Sequence, residues 1–197
     1  MKKLAIFAAI IISLNLTGCK TERSQDVVST PPQSLPTIES TQTDLFLSAQ
    51  ATKEFSDDVV TDAQIEKLLK AAVKSPNTTN SQPWHFTAVM KEGYIKELVP
   101  NATKGCVIII VSAPSGNIFD CGIATQSINL AAQSMGLGAN IYMDKISYIN
   151  SEDIKRTYKI PEGYDAVSLV CVGYPKSDAI SGASERNDLE SFVTYID

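Results

Sequence analysis

The stretch of this 197-residue chain with the most chemistry to offer is Ser75-Pro76-Asn77-Thr78-Thr79-Asn80-Ser81-Gln82-Pro83-Trp84-His85-Phe86. It crowds side-chain amides and hydroxyls into a segment too long and polar for a tight turn, and it ends in large aromatic rings. Amides and hydroxyls both donate and accept, so such a loop beside aromatic surface suits a planar heteroaromatic ligand with several hydrogen-bonding edges. The same residues also brace ordinary loops, because Asn and Ser side chains bond to nearby backbone in turns. On residue chemistry alone, the structural loop is the simpler of these two readings.

Other chemistries find little material. His85 is the single histidine and sits in an apolar Pro-Trp-His-Phe context, which leaves a Ser-His-Asp or Cys-His hydrolase without a base and reads as a packed structural residue. Gly136-Leu137-Gly138 lacks the third glycine of a dinucleotide fingerprint and follows a helical pattern rather than a strand. No pair of carboxylates stands out as a glycosidase pair. Cys106, Cys121 and Cys171 each lie in an apolar stretch, and none forms a CxxC motif. A metal site would need clustered Cys and His ligands, so these read as buried thiols acting as small hydrophobes. In an oxidising compartment two of them could pair, leaving the third odd; which two is open.

The elements that must position these residues follow from patterning. Val60-Thr61-Asp62-Ala63-Gln64-Ile65 is a full helix start: Thr61 caps, Gln64 reaches back, and Val60 staples onto Ile65. Ile65, Leu68, Leu69 and Ala72 repeat at helical spacing, and Ser75-Pro76 ends the helix. Residues 86–90 read as a strand, and Cys106 to Val111 as one buried on both faces. Ile123 to Met135 is a helix apolar nearly all round, deeply buried or in a subunit interface, with Gly136 as its C-cap. A strand at 139–143, a helix from about 151 and a strand at 166–173 complete one α+β domain without repeats. The polar tail after Pro175 ends in Leu189, Phe192, Val193 and Tyr195, which need a surface to pack on.

The N-terminus is organised differently. Lys2 and Lys3 precede an almost unbroken apolar run from Leu4 to Leu16, closed by Leu16-Thr17-Gly18-Cys19. A basic start, a short apolar core and a small-residue cleavage site describe a secretory signal rather than a spanning helix, which needs about 20 apolar residues. Residues 20–43, rich in Ser, Thr, Pro and Gln, cannot bury enough surface to offset their ordering entropy and read as a flexible tether. The whole chain carries a formal charge of -5, and loss of residues 1–18 removes two lysines and takes it to -7. That acidity argues against nucleic acid as a partner.

Two resemblances sharpen this picture. Leu-Thr-Gly-Cys is similar to the lipobox of bacterial lipoproteins, which implies a signal peptide over 1–18, acylation of Cys19, a tether over 19–44 and anchoring at the extracytoplasmic face of the cell membrane. The domain from 45 to 197 resembles the nitroreductase family of flavoproteins, in the run SPNTTNSQPWHF, in Thr52-Lys53-Glu54-Phe55, in the helix at 61–74, and in Asp120 through GLGANIYM. The resemblance covers roughly residues 45–175. It implies a nitroreductase-like α+β fold, a central mixed or antiparallel sheet flanked by helices, and a homodimer with FMN in the cleft between subunits. It implies that Lys53 lies near the flavin N1 and O2, where a cation stabilises the negative charge of the reduced ring. Asn80 would bond the isoalloxazine edge with Gln82 close by, and Ser75, Pro76 and Asn77 would run along the cofactor. Ile141, Tyr142 and Met143 would present backbone to the ring, and Arg186 would pair with the phosphate. The chain departs from the family's Arg-x-Ser phosphate grip by carrying Ala49-Gln50-Ala51, and between Phe86 and Asp120 it lacks a helical insertion. The function implied is transfer of reducing equivalents from NAD(P)H through FMN to nitroaromatic, quinone or similar acceptors. The alternatives are a lipoprotein that only binds flavin or another planar ligand, and a structural surface protein.

Overall fold

The computed structural model describes residues 40–176 and 185–196. The signal segment, Cys19 and the tether up to residue 39 lie outside the described residues. In chain order the elements are α1 (Ser40–Ser48), α2 (Asp62–Val73), β1 (His85–Val89), α3 (Glu92–Leu98), β2 (Val107–Ala113), α4 (Ile118–Ser134), β3 (Gly138–Tyr142), α5 (Ile146–Ile149), α6 (Glu152–Thr157) and β4 (Asp165–Gly173), with a 3-10 turn at Leu189–Ser191. The strands form an antiparallel sheet in the order β1-β2-β4-β3. This is the expected α+β arrangement of an antiparallel sheet between helices.

Alternation along β2 builds both cores. Val107, Ile109 and Val111 face α2 and α4, while Ile108 and Ile110 face the opposite layer with Ile95, Leu98, Ile149 and Tyr158. Every residue of β2 is buried, as a strand covered on both faces must be. At the start of α2, Thr61 Oγ1 accepts from the Gln64 amide at 3.3 Å while Gln64 Oε1 accepts from the Thr61 amide at 2.9 Å. Val60 and Ile65 are buried together beside this box, as the staple requires.

Two expectations change, and α3 is an element for which the patterning gave none. First, α1 begins inside the segment read as tether, whose last residues are helical from Ser40. Second, α4 starts at Ile118, five residues before the apolar period suggests, and only one of its faces is core. Asp120, Cys121, Ala124, Thr125, Ile128 and Ala132 are buried, whereas Gln126, Asn129 and Gln133 share a different face. Helix α3 carries no side-chain cap at Lys91, so the sequence offers no start signal for it. Among the described residues no helix is long and apolar enough to cross a membrane.

Candidate functional site

A cleft of about 460 Å³ runs along the free edge of β3, lined by α1, the segment 49–51, α4 and the C-terminal segment. That volume lies within the roughly 300–1,000 Å³ typical of small-molecule sites. The chain is clipped to the strand just beside it, where the Thr52 amide donates to the Ala139 carbonyl at 2.8 Å. Gly138 makes the clip possible: a Cβ at that position would fall 2.7 Å from the Cβ of Thr52. Because Ala139 turns its carbonyl away from β4, the antiparallel alternation turns the backbone N–H of Ile141 the same way, along the open edge.

The polar wall of the cleft is neutral amide chemistry with one cation. Gln50, Gln126, Asn129 and Asn140 line it, together with Arg186. The amides are chained: Asn129 Nδ2 donates to Gln126 Oε1 at 3.2 Å, Gln133 Nε2 to Asn129 Oδ1 at 3.0 Å, and the Gln50 amide to Gln133 Oε1 at 3.3 Å. This chain fixes the register of residues 49–51 against α4. The apolar wall comes from Phe46, Leu47, Ala49, Ala51, Ala139 and Ile141. Gln126, Asn129 and Asn140 escaped the sequence reading; the i, i+3, i+7 spacing of Gln126, Asn129 and Gln133 inside an apolar helix was the available signal.

Of the residues expected to contact the cofactor, Ile141 and Arg186 line this cleft, as do Ala49, Gln50 and Ala51 in place of the family's phosphate grip. Lys53 is exposed one residue beyond the Thr52 clip, with its carbonyl accepting from Asn101 Nδ2 at 3.4 Å. Tyr142 packs against the core on the α3 side, and Met143 lines a separate cavity of about 340 Å³ with Ile118, Ile146 and Asp165. The loop 75–82 forms its own cluster. The buried Ser75 hydroxyl lies 2.7 Å from that of Ser127 on α4, one step of about 100° around the helix from Gln126. Asn77 Oδ1 accepts from the Gln82 amide at 3.0 Å, and Gln82 Nε2 donates to the Asn80 carbonyl at 3.4 Å. Pro76, Asn80 and Gln82 are exposed. Asn80 and Gln82 hold φ values of 54° and 50°, left-handed backbone that L residues other than Asn rarely adopt. His85 sits edge-on to Tyr164 with its Nδ1 buried and unpartnered, and burial lowers its pKa.

A cleft of this size with amide edges, an apolar floor and a single arginine suits a planar heteroaromatic group that bears an anion. FMN fits this donor set. The arginine can meet a phosphate, the amides can meet a pyrimidine edge, and the Ile141 N–H points outward from the open edge of β3, where a ring nitrogen would accept.

Comparison with known proteins agrees. The model of the nitroreductase family matches residues 48–110 and 105–174. A protein of Archaeoglobus fulgidus named "Putative NADH dehydrogenase/NAD(P)H nitroreductase" is 30% identical over 153 residues, spanning 68% of this chain and 85% of that protein. An FMN-dependent nitroreductase from Clostridium difficile R20291 superposes with a TM-score of 0.65 at 22% identity, covering 79% of this chain and 98% of that one. A nitroreductase with bound FMN from Desulfitobacterium hafniense DCB-2 gives 0.67 at 19% identity, with the same coverage. These two likenesses establish the fold.

Proposed function

This chain belongs to the nitroreductase family, and on that premise we propose that it is an FMN-dependent oxidoreductase moving reducing equivalents from NAD(P)H to nitroaromatic, quinone or similar acceptors. The observation that carries the reading is the cleft along β3, where Ile141, the amides of α4 and Arg186 face one space. When bound, FMN supplies the hydride-accepting and hydride-donating chemistry; the protein's part is binding, orientation and electrostatics. Ile141 offers a backbone donor to the ring, and Lys53 offers a cation beside the clip at Thr52. Arg186 takes the phosphate charge that Ala49 and Ala51 leave unmet. No side-chain acid is required for this work.

The loop bearing Ser75, Pro76, Asn77, Asn80 and Gln82 meets α4 on another face than the cleft does. In our reading a second copy of the chain brings its own loop to the cleft, so that the site belongs to a homodimer. Exposed Ile118 and Phe119 on the first turn of α4, together with Val73, give such a contact apolar surface. The domain is held at the extracytoplasmic face of the cell membrane by acylation of Cys19, with the segment before α1 as its tether. Radiolabelled palmitate incorporation that Cys19→Ala abolishes is the expected result; equal labelling of that variant contradicts it.

The replacement of the phosphate grip by Ala49-Gln50-Ala51 favours a second reading, a flavin-binding lipoprotein without turnover. Anaerobic mixing of the FMN-loaded protein with NADH or NADPH separates the two. Bleaching of the flavin band followed by reoxidation with a nitroaromatic or quinone is the expected outcome. A loaded protein that dithionite bleaches but neither nicotinamide does is the binder.

A further inference from the structure

The three core cysteines are free thiols, and the fold sorts them by side of the sheet. Cys121 lies with α2, α4 and the odd-numbered residues of β2, whereas Cys106 and Cys171 lie in the opposite core beside Phe55, Ile108 and Ile110. No pairing of Cys121 with either of the others is possible without passing through the sheet. The strand register places the remaining two as diagonal neighbours on one face, where Cα atoms lie about 7–8 Å apart, so closing a bond between them draws the end of β2 toward β4. Val107 pairs with Val172 and Ile108 with Cys171, so Cys106 stands one step further on, across from Gly173. Glycine at 173 leaves the space that the Cys106 thiol fills: a Cβ there would lie 2.8 Å from Cys106 Sγ and 2.8 Å from the Phe55 ring. With nothing opposite it, the thiol lies along the same face as Cys171, two residues away on β4. Thr103 Oγ1 lies 3.5 Å from Cys106 Sγ.

We propose that Cys106 and Cys171 are a redox-active pair that closes into a disulfide tying the start of β2 to β4, with Cys121 as the unpaired thiol. The oxidant is a low-molecular-weight disulfide. The Cys106 thiolate attacks one of its sulfurs and releases one thiol; Cys171 then displaces the second, forming the Cys106–Cys171 bond. Two protons and two electrons leave the protein, and the reagent disulfide becomes two thiols. Cys106 is the point of attack because it precedes the strand at the sheet's end and keeps 4% of its surface exposed, whereas Cys171 keeps none. The electrostatics agree. The Cys171 thiol favours the Cys106 thiolate and draws its pKa below the ordinary thiol range against the opposing effect of burial, while the same contact raises that of Cys171. Cys121 is pushed up to about 11 by burial and by Asp120, which leaves it the weaker nucleophile at neutral pH.

The test is to equilibrate the purified full-length protein in glutathione buffers from fully reducing to the poise of an oxidising compartment, then alkylate under denaturing conditions and map peptides by mass spectrometry. The expected product is a single internal cross-link between the Cys106 and Cys171 peptides, appearing as the buffer becomes oxidising, with Cys121 alkylated throughout. Cys121→Ser should give the same cross-link, and Cys171→Ala should instead accumulate a glutathione adduct on Cys106. A cross-link through Cys121, a wild-type end product that is only the glutathione adduct, or three alkylated thiols at the most oxidising poise each overturns the proposal.

Discussion

Arg186 is the only cation among the described residues that line the cleft, so its truncation isolates what one charge does for the ligand. A hydrogen bond to a charged group contributes about 1.5–3 kcal/mol, so Arg186→Ala should weaken FMN binding by about tenfold or more. Riboflavin, which has no phosphate, should bind both forms alike in a fluorescence titration; equal losses for the two ligands would place Arg186 away from the phosphate. Gln82 tests strain in the same currency. An L residue in left-handed backbone costs about 1–2 kcal/mol, and glycine recovers most of that at an entropic cost of about 0.5–1 kcal/mol. Gln82→Gly should therefore raise Tm slightly while lowering flavin affinity, the pattern expected where strain serves a site. His85 sets a pH dependence. Burial lowers its folded pKa below the ordinary histidine value of about 6.5, so the native state binds the proton less readily than the unfolded chain. The resulting stability is present above about pH 6.5 and is lost as pH falls through the folded value. His85→Gln should flatten that limb of the urea midpoint against pH.

Elements carry the next layer of explanation. Loss of the reciprocal cap in Thr61→Ala should cost about 1 kcal/mol, seen as a lower denaturant midpoint at unchanged slope. Gly138→Ala should do more than destabilise. Its Cβ meets the Thr52 side chain, so the clip to Ala139 must open and the cleft with it, and flavin should be lost before the fold is. How much of this was legible in advance depended on whether the signal is local. The cap at Thr61, the apolar period of α2 and the buried run of β2 are written in adjacent residues, and they stand where the pattern put them. The loop 75–82 was visible as a cluster of amides, but its left-handed turns at Asn80 and Gln82 depend on the Asn77 side chain folding back, which spacing does not reveal. The amide chain of Gln126, Asn129 and Gln133 was hidden inside a helix that reads as apolar nearly all round. Its meaning came only when Gln50, 83 residues from Gln133, was brought against it. Helix α3 had no start signal, and the exposed Leu189, Phe192 and Tyr195 of the tail did not find the surface that their character calls for within this chain.

At the scale of the whole molecule, the two halves of the expected flavin environment meet α4 on different faces, and that separation is the reason for proposing a homodimer. Phe119, 77% exposed on the first turn of α4, is the residue on which to test it. Phe119→Glu should shift the mass in light scattering from dimer to monomer and weaken FMN in parallel. A monomer that keeps full affinity would separate assembly from the site. In the proposed lipoprotein, the charge of -7 left after loss of residues 1–18 would repel the domain from an anionic membrane surface, so anchoring would fall to the lipid on Cys19. Whether this fold holds flavin despite Ala49-Gln50-Ala51 is decided by the absorption spectrum of the protein mixed with FMN and then desalted. Flavin bands should survive desalting at about one FMN per chain. A folded but colourless protein would contradict it, and would mark those three residues as the place where the family's cofactor was given up.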